Sequence, residues 1–227
     1  MRWRHPQRGL ILPEDFLAVA EEIGLIVGLG QWVIDEACRQ LAEWRASSGA
    51  ELSVSVNVSN REFWHAGLVE HVASAVATHG LRPEALKLEI TEGVIMRNPE
   101  LARVQMGELH AQGVALHIDD FGTGYSSLHA LHRFPIQGLK IDRSFVAGLG
   151  VDTTTMELVQ TIIAMGRNLG VDVIAEGVET AEQEQWLRSA GCRYAQGNWF
   201  APPSPGVAAG AFAGPCLPVT TQASGVS

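Results

Sequence analysis

The sequence predicts an α/β fold, a parallel sheet wrapped by helices in the manner of an incomplete (β/α) barrel, and three observations predict it. Helical and short apolar segments alternate along the chain, several helical segments end at a glycine, and each apolar segment ends on a side chain that can ligate a metal or handle a proton.

The helical segments are roughly 13–24, 29–47, 65–79, 98–112, 153–169 and 180–190. Pro13 and the pair Asn98-Pro99 suit helix starts, and Gly24, Gly80, Gly113, Gly170 and Gly191 stand where C-caps are expected. Between them lie six strand candidates: 52–58, 86–91, 114–119, 137–142, 171–176 and 193–197. Their far ends carry Asn57, Glu89, Asp119 with Asp120, Lys140 with Asp142, Glu176, and Gln196. One polar residue at a strand end is ordinarily a loop residue or a helix cap. Six in succession are not, because the carboxyl ends of parallel strands share one face, where active sites sit.

Composition narrows the chemistry. The 227-residue chain has a formal net charge of −9 and no basic run, which argues against a nucleic acid polymer as partner. Three cysteines, Cys38, Cys192 and Cys216, are far apart and unpaired in sequence, so neither a disulfide framework nor a zinc site is suggested, and a reducing cytoplasm is the expected location. The N-terminus lacks a signal peptide's apolar run, and no stretch is long enough to contact a membrane as a span. Residues 1–203 read as one barrel-type domain. Residues 204–227, rich in Pro, Gly and Ala and without a charge, read as a disordered tail.

The carboxylates Glu89, Asp119, Asp120, Glu176 and Glu179 would gather against Lys140 as their single opposing charge. Like charges ~4 Å apart repel by about 4 kcal/mol near a protein surface, so such a cluster raises its own pKa values or recruits cations. Oxygen-only donors select hard ions such as Mg²⁺ or Mn²⁺, and adjacent aspartates suit a two-metal site that activates water at a phosphoryl centre. The residues by themselves lead to a metal-dependent hydrolase or lyase at a barrel mouth.

The segments Ser55-Val56-Asn57-Val58-Ser59, Glu89-Ile90-Thr91-Glu92, Asp119-Asp120-Phe121-Gly122-Thr123-Gly124-Tyr125-Ser126-Ser127, Leu139-Lys140-Ile141-Asp142-Arg143-Ser144-Phe145-Val146, Ile174-Ala175-Glu176-Gly177-Val178-Glu179-Thr180 and Gln196-Gly197 stand in an order and spacing that resembles the EAL family. The early segment Ala20-Glu21-Glu22-Ile23-Gly24-Leu25-Ile26 resembles it too, and the likeness covers residues 1 to about 203. The resemblance implies a TIM-like (β/α) barrel of EAL type and a cytoplasmic phosphodiesterase that cleaves cyclic di-GMP to linear pGpG with Mg²⁺ or Mn²⁺, often as a homodimer and often behind a sensor or cyclase domain. It implies Asn57, Glu89, Asp119, Asp120 and Glu176 as metal ligands, Glu176 as general base, and Lys140 and Gln196 as holders of the catalytic water or the metal shell. Gln196 joins Arg2 and Glu179 in the expected substrate-binding set, and Glu92 is expected to brace the loop from Phe121 to Ser127.

The family's naming motif, Glu-Ala-Leu, any residue, Arg-Trp, is represented here by Arg2-Trp3, so its metal-ligating Glu would fall just before Met1. Six strands against the eight of the family agree with that: the opening antiparallel strand and the one bearing Glu-Ala-Leu are expected to be missing. A cropped domain, a shortened reading frame, a non-catalytic cyclic di-GMP-binding or protein-interaction module, and substitution by Glu14 or Glu21 are the alternatives. Asn198 and Pro203 depart from the family's pattern near the last strand.

Other features read as structural. Gly122-Thr123-Gly124 lacks the third glycine of a dinucleotide loop, and the sequon Asn57-Val58-Ser59 lies inside a strand. Ser126 and Ser127 have no His-Asp partners for nucleophilic catalysis, and His129 and His132 read as surface or packing residues. Trp32, Trp44 and Trp186 fall on helix faces and are expected to pack in the core or its shell.

Overall fold

The computed structural model describes residues 1–124 and 131–206. Its centre is a six-stranded all-parallel sheet in sequential order: β3 (Val54–Val58), β4 (Leu86–Thr91), β5 (Ala115–Phe121), β6 (Gly138–Ile141), β7 (Asp172–Ala175) and β8 (Tyr194–Ala195). The sheet curls into part of a barrel whose edges are β3 and β8, the incomplete α/β barrel that the sequence predicts. Before it lies an antiparallel hairpin, β1 (Trp3–His5) and β2 (Gly9–Ile11), which no periodicity announces because each strand is three residues long. Its turn is held by His5 Nδ1, which accepts from the amides of Gln7 and Arg8, and Trp3 meets Phe16 edge-on at 5.9 Å.

The strands alternate because their two faces meet different surroundings. Val56, Val58, Leu86, Leu88, Ile90, Leu116, Ile118, Leu139, Ile141, Val173 and Ala175 are buried against the helices, in one continuous core. The alternate positions Ser55, Asn57, Lys87, Glu89, His117, Asp119 and Lys140 turn to the concave side, as the two-residue period requires. That concave face is polar, where many barrels of this class stack branched aliphatic side chains.

The helices α1 (Pro13–Glu22), α2 (Ile26–Ser48), α4 (Leu68–Thr78), α6 (Pro99–Ala111), α8 (Thr153–Leu169) and α9 (Ala181–Ser189) match the predicted ones within a few residues. α2 starts three residues earlier than expected, and its buried stripe Ile26, Gly30, Ile34, Cys38 and Leu41 packs it toward β3. Gly170 closes α8 in the left-handed region, φ 70°, as its C-cap role requires. Among the described residues three short helices were not predicted: α3 (Asn60–Phe63), α5 (Glu92–Met96) and α7 (Arg143–Ala147). Each follows a strand end directly and is too short to show a 3.6-residue period. α3 is fixed by a capping box, in which Glu62 Oε2 accepts from the Ser59 amide at 2.9 Å and Ser59 Oγ accepts from the Glu62 amide at 3.4 Å. The buried Glu62 carboxyl rests on Gly30 of α2, where any Cβ would lie 1.3 Å from its oxygen.

Of the three tryptophans expected to pack, Trp186 lies against the core and Trp44 is half-buried, its indole N–H donating to the Gly206 carbonyl. Trp32 is 55% exposed, a correction to that expectation; it lines an apolar groove with Trp3 and Phe16 between the hairpin, α1 and α2. No helix among the described residues is long and apolar enough to cross a membrane. Of the tail expected at 204–227, residues 207–227 lie outside the described residues.

Helix α8 seats closely on the sheet at Gly166, where a Cβ would come 2.2 Å from Val173 Cγ2 of β7. Gly166→Ala is therefore expected to destabilise the domain by about 1–3 kcal/mol through overpacking. Urea unfolding measures this, and an unchanged midpoint would contradict so tight a seating of α8.

Candidate metal and active site

Glu89, Asp119, Lys140 and Glu176 come from four adjacent strands or the residue just beyond one, and meet at the carboxyl end of the sheet. One oxygen of each of Glu89, Asp119 and Glu176 lies within 4.8 Å of the others, a grouping able to hold a cation. Lys140 Nζ stands among them, 2.5 Å from Glu89 Oε2, 3.2 Å from Asp119 Oδ1, and paired with Glu176 Oε1. Glu89, Asp119 and Lys140 are buried, and Glu176 is half-buried. Burial opposes the Lys140 charge, but Glu89, Glu176 and Asp119 outweigh it and hold the ammonium above its ordinary range. Burial raises the Glu176 carboxyl despite Lys140, with Asp119 and Glu89 adding to the rise.

Backbone bonds fix Glu176. Its amide donates to the Ile141 carbonyl, and the next residue, Gly177, turns back with φ 71°. There a Cβ would approach Arg143 Cβ to 2.7 Å, so both the dihedral and the space call for glycine. Gln196 donates its amide N–H to the Ala175 carbonyl and its Nε2 to Glu176 Oε1 at 2.5 Å, tying the ends of β7 and β8 together.

The set is smaller than the five carboxylates the sequence suggests. Asp120 is outside the group, since β5 carries a register irregularity between Ile118 and Phe121 and Asp120 adopts φ 53°. The bulge sends neighbouring aspartates in different directions. Asp120 instead stands near Asp142, and its carboxyl is raised by burial, by Asp119 and by Asp142. Asp142, which the sequence places at a strand end with Lys140 but not among the expected ligands, is thus a neighbour of the site, two residues beyond Lys140. Glu179 is exposed, with no ion-pair partner among the described residues, and only its amide is engaged, donating to Gln183 Oε1. Neither Glu14 nor Glu21 of α1 belongs to the group.

Asn57 stands beside Glu89 in register on the edge strand β3, where it is exposed. Arg2 is exposed, donates to the Met1 carbonyl, and lines the apolar groove rather than the concavity that holds Glu89 and Lys140. Glu92, buried at the start of α5, accepts from the Gly122 amide at 3.1 Å through Oε2, while its Oε1 has no hydrogen-bond partner among the described residues. A Cβ on Gly124 would come 2.7 Å from that oxygen. The rest of the loop expected to be braced, Tyr125 to Ser127, and His129 lie outside the described residues.

Below the carboxylates a concavity of about 230 Å³ is lined by Ser55, Lys87, His117, Asp172 and Tyr194 among others. The His117 ring fills the space over Gly138, where a Cβ would approach it to 2.9 Å.

With this geometry in view, the comparisons with known proteins decide the family. The EAL domain family matches residues 1–203. The chain belongs to the EAL domain family. It is 47% identical over 205 residues to the bifunctional diguanylate cyclase/cyclic di-GMP phosphodiesterase MucR of Pseudomonas aeruginosa, covering 90% of this chain and 30% of that one. It is 41% identical over 208 residues to the cyclic di-GMP phosphodiesterase PdeR of Escherichia coli, covering 92% of this chain and 31% of the relative. The chain thus spans about a third of the length of these curated relatives. Among solved structures it is similar to a PaMucR phosphodiesterase–c-di-GMP complex, with a TM-score of 0.87 and 47% identity, over 90% of this chain and 83% of that one.

Burial, with help from Lys87 and Lys140, pushes the His117 imidazole from 6.5 down to about 4. As pH falls through that window the unfolded chain takes up a proton that the folded chain refuses, so stability drops, by ~3 kcal/mol when complete. His117→Leu is expected to abolish this component: its stability relative to the parent should improve steadily from pH 7 to pH 5 in denaturant titrations. A constant difference across that range would refute the assignment.

Proposed function

We propose that this domain hydrolyses cyclic di-GMP to linear pGpG with Mg²⁺ or Mn²⁺. The observation that carries the proposal is the convergence of Glu89, Asp119 and Glu176 at the sheet's carboxyl end. The likeness to phosphodiesterases of this name, one of them solved with c-di-GMP, supports the substrate.

The donor set fits a hard divalent ion: carboxylate oxygens of Glu89, Asp119 and Glu176, with the Asn57 amide beside Glu89. When bound, such an ion polarises a phosphoryl oxygen and lowers the pKa of its water. Glu176, whose pKa burial raises, is suited to receive the proton of the attacking water, since a base works best when its pKa approaches the working pH. Gln196 and Lys140 hold the Glu176 carboxylate in place, leaving it little freedom to turn away. The Lys140 charge also counters negative charge that grows on the phosphoryl group. Asp120, beside Asp142, is proposed to serve a second ion. Glu92 keeps the Gly122 amide in position at the end of β5. Arg2 and Glu179 are proposed to meet substrate from the periphery. A homodimer, an upstream sensor or cyclase domain and a cytoplasmic location belong to the same proposal.

Glu176→Gln is expected to lower pGpG formation by at least ~100-fold, the usual scale for a lost general base, with cyclic di-GMP affinity largely kept. Chromatography of products and calorimetry measure the two, on this chain and on one extended at its front by a Glu-Ala-Leu segment. Turnover by the extended chain that is unchanged in its Glu176→Gln variant would sink the role of Glu176. Binding without turnover in both lengths would establish a receptor instead of an enzyme.

A further inference from the structure

Lys140 is the one cation in contact with the carboxylate set among the described residues, and it touches every member: Glu89 Oε2 at 2.5 Å, Asp119 Oδ1 at 3.2 Å, and Glu176 Oε1. Three negative groups converge on one ammonium whose residue is only 3% exposed. Its strand neighbours Leu139 and Ile141 are fully buried, so β6 cannot shift to carry the side chain elsewhere. The Glu89, Asp119 and Glu176 oxygens that could converge on a divalent ion are gathered around this same point. An ammonium and a divalent ion drawn to one pocket of negative potential repel each other strongly where water is excluded.

We propose that Lys140 is a built-in counter-cation that competes with the divalent ion for the carboxylates of Glu89, Asp119 and Glu176, and so sets the affinity of the site. The proposal rests on the metal-site reading above and deepens it. Without an ion, Lys140 satisfies the three carboxylates and keeps them gathered, which buried like charges would otherwise resist. When an ion arrives, Lys140 yields part of its contacts, and the free energy of breaking them is subtracted from binding. A carboxylate set without this lysine would bind the ion more tightly and depend on it for stability. Arginine would keep the charge, and glutamine would keep a hydrogen-bond donor while removing it.

The test is Mn²⁺ binding by calorimetry at fixed pH and ionic strength, with thermal unfolding alongside, on the full chain and its Lys140→Gln and Lys140→Arg variants. Lys140→Gln is expected to bind Mn²⁺ roughly tenfold more tightly than the parent, because a neighbouring positive charge is gone. Its Tm should be lower than the parent's without Mn²⁺ and should rise further when Mn²⁺ is added. Lys140→Arg should show no gain in affinity. A Lys140→Gln chain that unfolds alone but regains a cooperative transition with Mn²⁺ supports the proposal equally. If the parent binds Mn²⁺ and Lys140→Gln binds no better, or stays unfolded with the ion present, Lys140 is not a competitor and the metal site stands without this inference. If neither parent nor variant binds Mn²⁺, the metal reading itself falls, and the inference with it.

Discussion

The meeting of Lys140 with Glu89, Asp119 and Glu176 is the constraint around which the rest of this site is arranged. Three carboxylates taken largely out of water cannot stay together unless cations and hydrogen bonds compensate them. Lys140 provides one positive charge against three negative, and Gln196 adds a donor to Glu176. The arrangement favours further positive charge, which is the physical content of calling it a metal site. Individually such groups would be ordinary strand-end residues; it is their enforced proximity that gives them chemistry.

Enforcement comes from the other face of the same strands. Every second residue of β3 to β7 is aliphatic and buried against helices, and that core fixes each strand's rotation about its own axis. With the rotation fixed, the intervening side chains must face the concavity, whatever their mutual repulsion. Burial at about 25 cal/mol per Å² of apolar surface outweighs the cost of gathering a few like charges. The core therefore holds the charged rim together, and close seats such as Gly166 on Val173 and Gly177 on Arg143 leave little slack.

Local backbone exceptions then refine the site. Strand alternation places Asp119 among the carboxylates, and the irregularity in β5 leaves Asp120, its chain neighbour, near Asp142. A non-glycine residue at φ 53° is costly, and such strain survives where surrounding packing over-determines it. Glu92 acts nearby from a different element, holding the Gly122 amide just after β5. The hairpin and α1 stand apart from this machinery, joined to the body chiefly through α2, and Arg2 goes with them.

The sequence by itself determined the order of strands and helices, the faces that each strand presents, and the membership of Asn57, Glu89, Asp119, Lys140, Glu176 and Gln196 at strand ends. These follow from period-two and period-3.6 patterns and from capping chemistry, which are local along the chain. Only the tertiary structure decided that Lys140 sits at the centre of three carboxylates rather than opposite five, and that Asp120, Glu179 and Arg2 lie outside the cluster. Those outcomes depend on inter-strand register, sheet curl and one backbone irregularity, which bring together residues dozens of positions apart. The short hairpin and the one-turn helices α3, α5 and α7 escaped sequence reading for a related reason: three to five residues span too few repeats of a two- or 3.6-residue pattern to reveal it.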